Sequence, residues 1–256
     1  MNLIKKNEIF LLEEIVKKNF ISKYKDSLLG VLWTILSPLL MMTLFTIIFS
    51  TLFKGNISNF PIYFLSAWSV YMFFTNSIST SMMSLKVNSN ILKKTPAPKH
   101  IFILGSVLSE FLNYLIMLFL LIAIMIITQS PFHWSTIFFA FIPMFSLVIM
   151  ITGLGLILSI CCVYYTDIRH LWTVISLMFM YASCIFYPIT IIPEPYRSYM
   201  ELNPLYWAID QFRCFIYWGK IPSIINIINF ILLSLIILII GIIIFKKYEN
   251  KVTLRM

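Results

Sequence analysis

The charged side chains best placed to do chemistry in this 256-residue chain are concentrated in residues 193–225. Six Asp, Glu, Lys or Arg residues lie there, namely Glu194, Arg197, Glu201, Asp210, Arg213 and Lys220. Three are acidic and three basic, so their charges balance. Because a charge facing lipid is costly, we expect these groups to pair with one another or to face water. The chemistry predicted for this stretch is therefore ion pairing and hydrogen bonding.

The same stretch should fold as two short helices. It follows an apolar helix expected over 171–192, and the turn Asn203–Pro204 separates the segments 196–202 and 205–218. As helices these segments would be about 10 and 21 Å long, too short to cross a hydrocarbon core of about 30 Å. We therefore expect a re-entrant hairpin, which is tolerated at membrane depth only where protein or a water-filled path covers it.

This hairpin is a candidate external gate. In a two-fold dimer, two such hairpins would meet over the central axis and close an exit between transport events. The side chains assigned to this role are Glu194, Arg197, Glu201, Asn203, Asp210 and Arg213. The alternative is a static cap that packs on neighbouring spans.

Composition places the chain in a membrane. Hydrophobic residues make up 60% of the sequence and charged residues 11%, and the mean hydropathy is +0.92. A soluble domain could not bury that much apolar surface. The net charge of +9 first suggests nucleic acid, but every Lys or Arg cluster borders an apolar run, as expected for membrane orientation. We expect an all-α integral membrane protein without a nucleic-acid partner.

Six apolar runs are long enough to span the bilayer. They lie near residues 29–53, 60–83, 103–127, 136–163, 171–192 and 226–245. Residues 8–26 precede them, with Ile15 and Phe20 on one side of a helical wheel and Lys17 on the other. This pattern predicts an amphipathic interface helix in the segment 1–28, with a soluble tail as the alternative. No soluble domain interrupts the spans, so 1–256 is predicted to be one transmembrane domain.

The distribution of basic residues predicts the orientation. The N-terminal arm, the break at 84–102, the break at 164–170 and the tail after 245 together carry 15 of the 19 Lys and Arg residues. The break at 164–170 also contains the charged pair Asp167 and Arg169. The side richer in basic residues is cytoplasmic, so both termini are expected inside a plasma or inner membrane.

Other chemistry is weakly supported. The cysteines include no C-x-x-C pair and the three His residues lie in separate polar breaks, so neither disulfide nor zinc is expected. Glu110 is the one acidic residue inside a predicted span, and we expect a structural ion pair, with a cavity-facing carboxylate as the alternative. The phosphate-binding pattern G-x-x-x-x-G-K-[ST] is absent. Any ATP and Mg²⁺ would therefore bind a separate ATPase chain, and this chain needs no cofactor.

The break at 84–102 is the candidate coupling loop. Ile91 and Leu92 are expected to form a small apolar face beside basic residues, and Pro96 ends any helix there. A short amphipathic helix of this kind suits a partner's groove. The residues assigned to coupling are Asn90, Ile91, Leu92, Lys93 and Lys94. The alternative is a solvated positive loop.

Aromatic residues make up 16% of the chain. Rings along a pathway would allow sugars to slide by stacking, whereas the alternative is an interfacial belt and lipid-facing packing. The candidate pathway residues are Trp33, Trp68, Tyr71, Phe74, Tyr181 and Tyr187.

Several short motifs, in this order and spacing, resemble those of the type-2 ABC exporter permeases that move lipid-linked polysaccharides such as O-antigen, capsule and wall teichoic acid. The resemblance covers nearly the whole chain. It rests on residues 23–33, 37–40, 90–94, 165–170, 186–188 and 203–204. It implies a homodimer of six-span permeases joined to two cytoplasmic ATPase chains, with an N-terminal interface helix, a coupling helix and two gate helices.

The leading hypothesis is therefore a permease subunit that exports a lipid-linked glycan polymer, driven by ATP hydrolysis on another chain. An alternative is the same architecture exporting a lipid or hydrophobic drug. A hypothesis from a different class is an integral membrane enzyme acting on lipid-linked sugars. Such an enzyme would need a convergent polar cluster in one cleft, and the sequence offers only scattered groups.

The basic-residue asymmetry makes the topology testable. In a background without the native cysteines, single cysteines at Ser58 and Ser130 should react with an impermeant thiol reagent in intact cells. Cysteines at Ser89 and Asn250 should react only after permeabilisation. Labelling of position 89 in intact cells would contradict the orientation.

Overall fold

The computed structural model describes residues 2–25, 27–52 and 57–253, and every regular element in them is a helix. Asp26, Lys54 and Arg255, which enter the sequence arguments, lie outside the described residues. Eleven α-helices follow one another: α1 Asn2–Tyr24, α2 Leu32–Leu52, α3 Phe60–Val87, α4 Ser89–Lys94, α5 Lys99–Ile127, α6 Trp134–Ile137, α7 Phe141–Tyr164, α8 Ile168–Ala182, α9 Glu194–Glu201, α10 Pro204–Ile216 and α11 Ile224–Thr253. Short 3₁₀ turns lie at Phe138–Ala140 and Ile189–Ile191.

Four stretches of the described chain are long and apolar enough to cross a membrane, Leu32–Phe49, Lys99–Ile127, Trp134–Tyr164 and Ile224–Val252. They correspond to four of the six predicted spans. The other two predicted spans behave differently. α3 has 28 residues and is therefore about 42 Å long, which is enough to cross a membrane. Its mean hydropathy, however, is lower than that of the four stretches named above. α8 has only 15 residues.

The prediction of one helix over 171–192 is wrong, because α8 ends at Ala182. Cys184 adopts a positive φ of 52°, which an α-helix does not accommodate. Pro188 lacks a backbone N–H and disfavours helical geometry at the residue before it. The chain between Ser183 and Ile192 is therefore irregular apart from one 3₁₀ turn.

α3 is the central helix of the bundle. It packs against α2, α5, α7, α8 and α10. Most of its length is buried, and Phe64, Val70 and Ile78 are completely inaccessible. Most of its buried serines and threonines bond to carbonyls three or four residues earlier in the helix, as Ser69 does to Ser66 and Thr75 to Tyr71. These bonds satisfy the hydroxyls without partners from other helices.

Contacts between distant residues define two ends of the bundle. At the end that carries α1 and α4, Ile15 and Leu92 share an apolar cluster with Val252. At the other end, the Tyr217 hydroxyl shares a hydrogen bond of 2.9 Å with Ser58. Asn59 there donates to Ser130 across 2.8 Å. We name these the α1 end and the hairpin end.

Glycines allow α7 and α11 to approach closely. A Cβ placed on Gly241 would lie 2.5 Å from the Gly153 carbonyl oxygen, and one on Gly153 would lie 2.6 Å from the Ile237 carbonyl oxygen. A Cβ on Gly155 would lie 2.9 Å from the Ser81 Cβ in α3. Gly153 and Gly155 therefore both permit close contact between α7 and its neighbours. Backbone-to-backbone proximity of this kind is a common basis of helix association in membranes.

Gly241→Val should therefore destabilise the protein, because its neighbours are backbone atoms that cannot rotate away. We expect a loss of about 1–3 kcal/mol, the usual range for overpacking. Ile239→Val, on the exposed face of the same helix, is the matched control and should change little. Thermal unfolding of the purified proteins in detergent measures both effects. An unchanged melting temperature for Gly241→Val would contradict the close contact.

Candidate functional site

The break after α8 is the most polar structural feature of the hairpin end. A helix that ends inside a bundle leaves carbonyl groups without intrahelical partners. In this chain those carbonyls belong to residues 182–187, and side chains from elsewhere bond to them. The donors are Tyr63 in α3, Asn203 at the start of α10, and Arg213 within α10.

Arg213 makes the strongest of these contacts. Its side chain is buried, with 2% of its surface exposed. Its Nη1 donates to the Cys184 carbonyl at 2.7 Å, and its Nη2 donates to the carbonyls of Ile185 at 2.8 Å and Tyr63 at 3.0 Å. The guanidinium also lies 3.5 Å from the centre of the Tyr63 ring, a cation–π geometry. A cation at the carboxyl end of a helix interacts favourably with the helix dipole.

Asn203 fixes the tip of the hairpin to the same place. Its Nδ2 donates to the Ala182 carbonyl at 3.1 Å and to the Ser183 hydroxyl at 2.8 Å. Its Oδ1 accepts from the Leu205 amide at 2.9 Å, which caps the start of α10. The turn between α9 and α10 therefore lies at the level where α8 ends.

Tyr63 completes the anchor from α3. Its hydroxyl donates to the Tyr187 carbonyl at 2.9 Å. Three helices and the irregular segment thus meet around one aromatic ring and one guanidinium. We call the contacts of Tyr63, Asn203 and Arg213 with residues 182–187 the carbonyl anchor.

The expected mutual pairing of the hairpin charges is seen only at its edge. Glu194 and Arg197 approach to 3.9 Å, and the Glu194 carboxylate is exposed. Arg197 also donates to the carbonyls of Ile192 and Thr190. Arg213 pairs with backbone carbonyls instead of a carboxylate. The carboxylates of Glu201 and Asp210 form no hydrogen bond or ion pair with any residue in the described part of the chain, although the Glu201 backbone carbonyl accepts from Trp207 Nε1 at 2.6 Å.

Asp210 lies in a partly buried position one turn before Arg213. Burial raises the pKa of the Asp210 carboxyl, the positive charge of Arg213 opposes that rise, and the Glu201 carboxylate adds to it.

A second polar cluster lies at the α1 end. Lys23 forms an ion pair with Glu110 at 2.8 Å, and the Glu110 side chain is buried. Asn113 donates to the same carboxylate at 3.1 Å and accepts from the Tyr24 hydroxyl at 2.5 Å. The prediction of a structural ion pair for Glu110 is confirmed. These contacts hold α1 along α5, where Ile15 lies against Gly105.

The coupling loop forms the short helix α4, but its apolar residues do not share a face. Leu92 is only 5% exposed and packs in the apolar cluster with Ile15 and Val252. Ile91 is 40% exposed, and Asn90, Lys93 and Lys94 are exposed around it. Consecutive helical residues point about 100° apart, so Ile91 lies on the exposed side of α4 while Leu92 faces the rest of the chain. The charged pair Asp167 and Arg169 lies exposed at the start of α8.

The aromatic side chains form a connected row beside the carbonyl anchor. Ring centres are 4.6 Å apart for Phe45 and Phe186, and 5.3 Å apart for Phe45 and Phe64. The row continues along α3, with 5.3 Å from Phe64 to Trp68 and 5.3 Å from Trp68 to Tyr71. Two of the predicted pathway residues, Trp68 and Tyr71, belong to this row.

The other predicted pathway aromatics are placed differently. Phe74 is 1% exposed and is packed by Trp172 and Phe179, so it lies in the core of the described chain. Trp33 and Tyr181 are exposed. Tyr187 is half-buried and donates to the Tyr181 carbonyl at 2.5 Å.

Sequence reasoning missed Tyr63 and Phe45. Nothing in the spacing of these residues distinguishes them from the other aromatics in apolar runs. Tyr63 gains its role from Arg213, which is 150 positions away along the chain. Only the folded arrangement brings them together.

Comparison with known proteins places these features in a wider context. Residues 11–217 match the family model described as ABC-2 type transporter. The O-antigen export system permease protein RfbA of Klebsiella pneumoniae is 27% identical over 245 residues, covering 94% of this chain and 93% of the relative. RfbA of Myxococcus xanthus is 26% identical, with 83% and 82% covered. The polysialic acid transport protein KpsM of Escherichia coli is 23% identical, with 87% of both covered.

Arg213→Gln tests the carbonyl anchor. A Gln side chain can replace only part of the donor set, so buried carbonyls lose partners, and we expect a loss of about 3 kcal/mol in stability. Lys220→Gln, which removes an exposed positive charge from the same hairpin, is the matched control and should have little effect. Thermal unfolding in detergent measures the difference. Equal melting temperatures for the two variants would refute the anchor.

Proposed function

Because this chain belongs to the ABC-2 type transporter family, we propose that it is the permease subunit of an exporter that moves a lipid-linked polysaccharide or teichoic-acid-type polymer out of the cytoplasm. ATP and Mg²⁺ bind a separate ATPase chain, and this chain is not itself an enzyme. The observation that carries the proposal is the near full-length similarity to proteins named for O-antigen export and polysialic acid transport. Those names favour a glycan over a hydrophobic drug as the exported substrate.

The proposed architecture has six membrane crossings. α2, α3, α5, α7 and α11 provide five, and α8 with the irregular segment up to Ile192 provides the other. α9 and α10 form a re-entrant hairpin on the external side, because their 8 and 13 residues correspond to about 12 and 20 Å. Both termini are cytoplasmic, with α1 as the interface helix. The basic-residue distribution and the position of α1 and α4 at one end support this orientation.

The hairpin acts as the external gate of a homodimer that binds two ATPase copies. The carbonyl anchor links α10 to the end of α8 and the start of α3, so these elements move as a unit. A shift of α8 would therefore carry the hairpin tip with it. The row of rings from Tyr71 to Phe186 borders the anchor and offers stacking surfaces for sugar units approaching the exit.

The coupling contact is formed by the exposed surface of α4. Ile91 supplies the apolar anchor, while Asn90, Lys93 and Lys94 supply hydrogen bonds and positive charge. Leu92 supports this surface from below by fixing α4 to the α1 end. A charge introduced at Ile91 would be desolvated in the partner's groove, whereas a charge at Leu92 would disrupt the permease itself.

Ile91→Asp should therefore leave the permease folded but reduce co-purification of its ATPase by about tenfold or more, which corresponds to roughly 1.4 kcal/mol. Surface display of the polymer should fall in parallel, with the glycan retained in the cytoplasm. Ile91→Leu is the matched control and should retain both. We expect Leu92→Asp to lower the melting temperature of the isolated permease.

Loss of ATPase binding without any change in surface glycan would argue against polysaccharide export. Normal ATPase binding by Ile91→Asp would instead exclude α4 as the coupling element. The two results therefore distinguish an error in the proposed substrate from an error in the proposed ATPase-binding surface.

A further inference from the structure

A small polar cavity lies between the hairpin and the first turn of α11. Its volume is about 110 Å³. The lining side chains are Glu201, Tyr206, Trp207, Asp210, Gln211 and Asn226. Tyr206 and Asp210 are four residues apart on α10, as are Trp207 and Gln211, so α10 presents one continuous face to the cavity. Glu201 closes it from α9 and Asn226 from α11.

Gln211 provides an oxygen without a partner. The residue is 2% exposed, and its Nε2 donates to the Asn226 carbonyl at 3.0 Å. That bond fixes which end of the amide is nitrogen. The Oε1 atom is fully buried and accepts no hydrogen bond from any described residue. Leaving a buried carbonyl oxygen unsatisfied is costly, so this atom requires a donor or a cation.

The cavity also carries negative charge. Among the described residues, Glu201 and Asp210 both line it, and no Lys or Arg does. The Arg213 guanidinium acts on Asp210 only through its charge, since its hydrogen bonds go to the carbonyls of Tyr63, Cys184 and Ile185. Two carboxylates and a buried amide oxygen therefore line one cavity, and no described Lys or Arg forms an ion pair with either carboxylate.

We propose that this cavity binds a divalent metal cation, with Ca²⁺ favoured, held by the carboxylates of Glu201 and Asp210 and by the Oε1 atom of Gln211. All the donors are oxygens, which hard cations prefer, and Ca²⁺ tolerates irregular geometry better than Mg²⁺ does. A volume of about 110 Å³ holds an ion with two or three waters, because each water occupies about 30 Å³.

The bound ion would connect α9, α10 and the start of α11. Because the ion would have only two charged ligands, its dissociation constant should be roughly 0.1–1 mM, as in the weakest class of calcium-binding modules. It would neutralise the repulsion between Glu201 and Asp210 and supply the missing partner of Gln211. The ion would thus hold the hairpin against α11, on the side away from the contacts made by Arg213.

Titration of chelator-treated, detergent-purified full-length protein with CaCl₂ tests the site by isothermal calorimetry. We expect one saturable site per chain and a rise in melting temperature. Asp210→Asn and Glu201→Gln should each weaken binding by about tenfold or more, at roughly 1.4 kcal/mol per factor of ten. Glu194→Gln removes a carboxylate from the same hairpin outside the cavity and should retain wild-type affinity.

Three results would overturn the proposal. The first is the absence of saturable binding up to about 10 mM Ca²⁺, well above the expected range. The second is wild-type affinity in the Asp210→Asn/Glu201→Gln double variant. The third is an equal rise in melting temperature with NaCl at matched ionic strength, which would indicate screening alone. Melting temperatures measured in chelator verify that the variants fold, and the assay needs neither ATPase nor glycan.

Discussion

The constraint on which this structure depends is that backbone carbonyls inside a membrane need partners. A continuous helix provides them internally, whereas a helix that stops at Ala182 does not. In this chain, the carbonyls after α8 accept hydrogen bonds from the side chains of Tyr63, Asn203 and Arg213. The positions of α10, the hairpin tip and the start of α3 all follow from these bonds. The conformation of the irregular segment is therefore fixed by side-chain hydrogen bonds, as the conformation of a helix is fixed by backbone hydrogen bonds.

The two ends of the bundle use polar groups in different ways. At the α1 end, the Lys23–Glu110 ion pair and its amide and hydroxyl neighbours fasten α1 to α5. At the hairpin end, the buried Arg213 guanidinium binds backbone carbonyls instead of a carboxylate. Between them, packing through Gly153 and Gly241 requires no polar group at all. The long helices thus form a rigid middle, and the adjustable contacts lie at both ends.

Much of the hairpin could be predicted from local signals. Its proline residues and the Asn203–Pro204 turn indicate where its helices begin and end. The predicted segments differ from α9 and α10 by at most two residues at each end. The end of α8 could not be predicted, because it depends on Arg213 and Tyr63, which are distant in sequence. The burial of Leu92 and Phe74 could not be predicted for a related reason. Residue type predicts that a side chain is apolar, but only tertiary packing decides which neighbour covers it.

The order of residues along the chain adds a consequence for biogenesis. The carbonyls of Cys184 and Ile185 leave the ribosome 29 and 28 residues before Arg213, which later binds them. In the six-crossing architecture proposed above, the segment after α8 has no means of satisfying its backbone in lipid until then. α8 and the hairpin would therefore enter the bilayer together, as one unit of insertion, rather than as successive independent helices. The carbonyls after α8 therefore lack their hydrogen-bond donor until α10 has been synthesised.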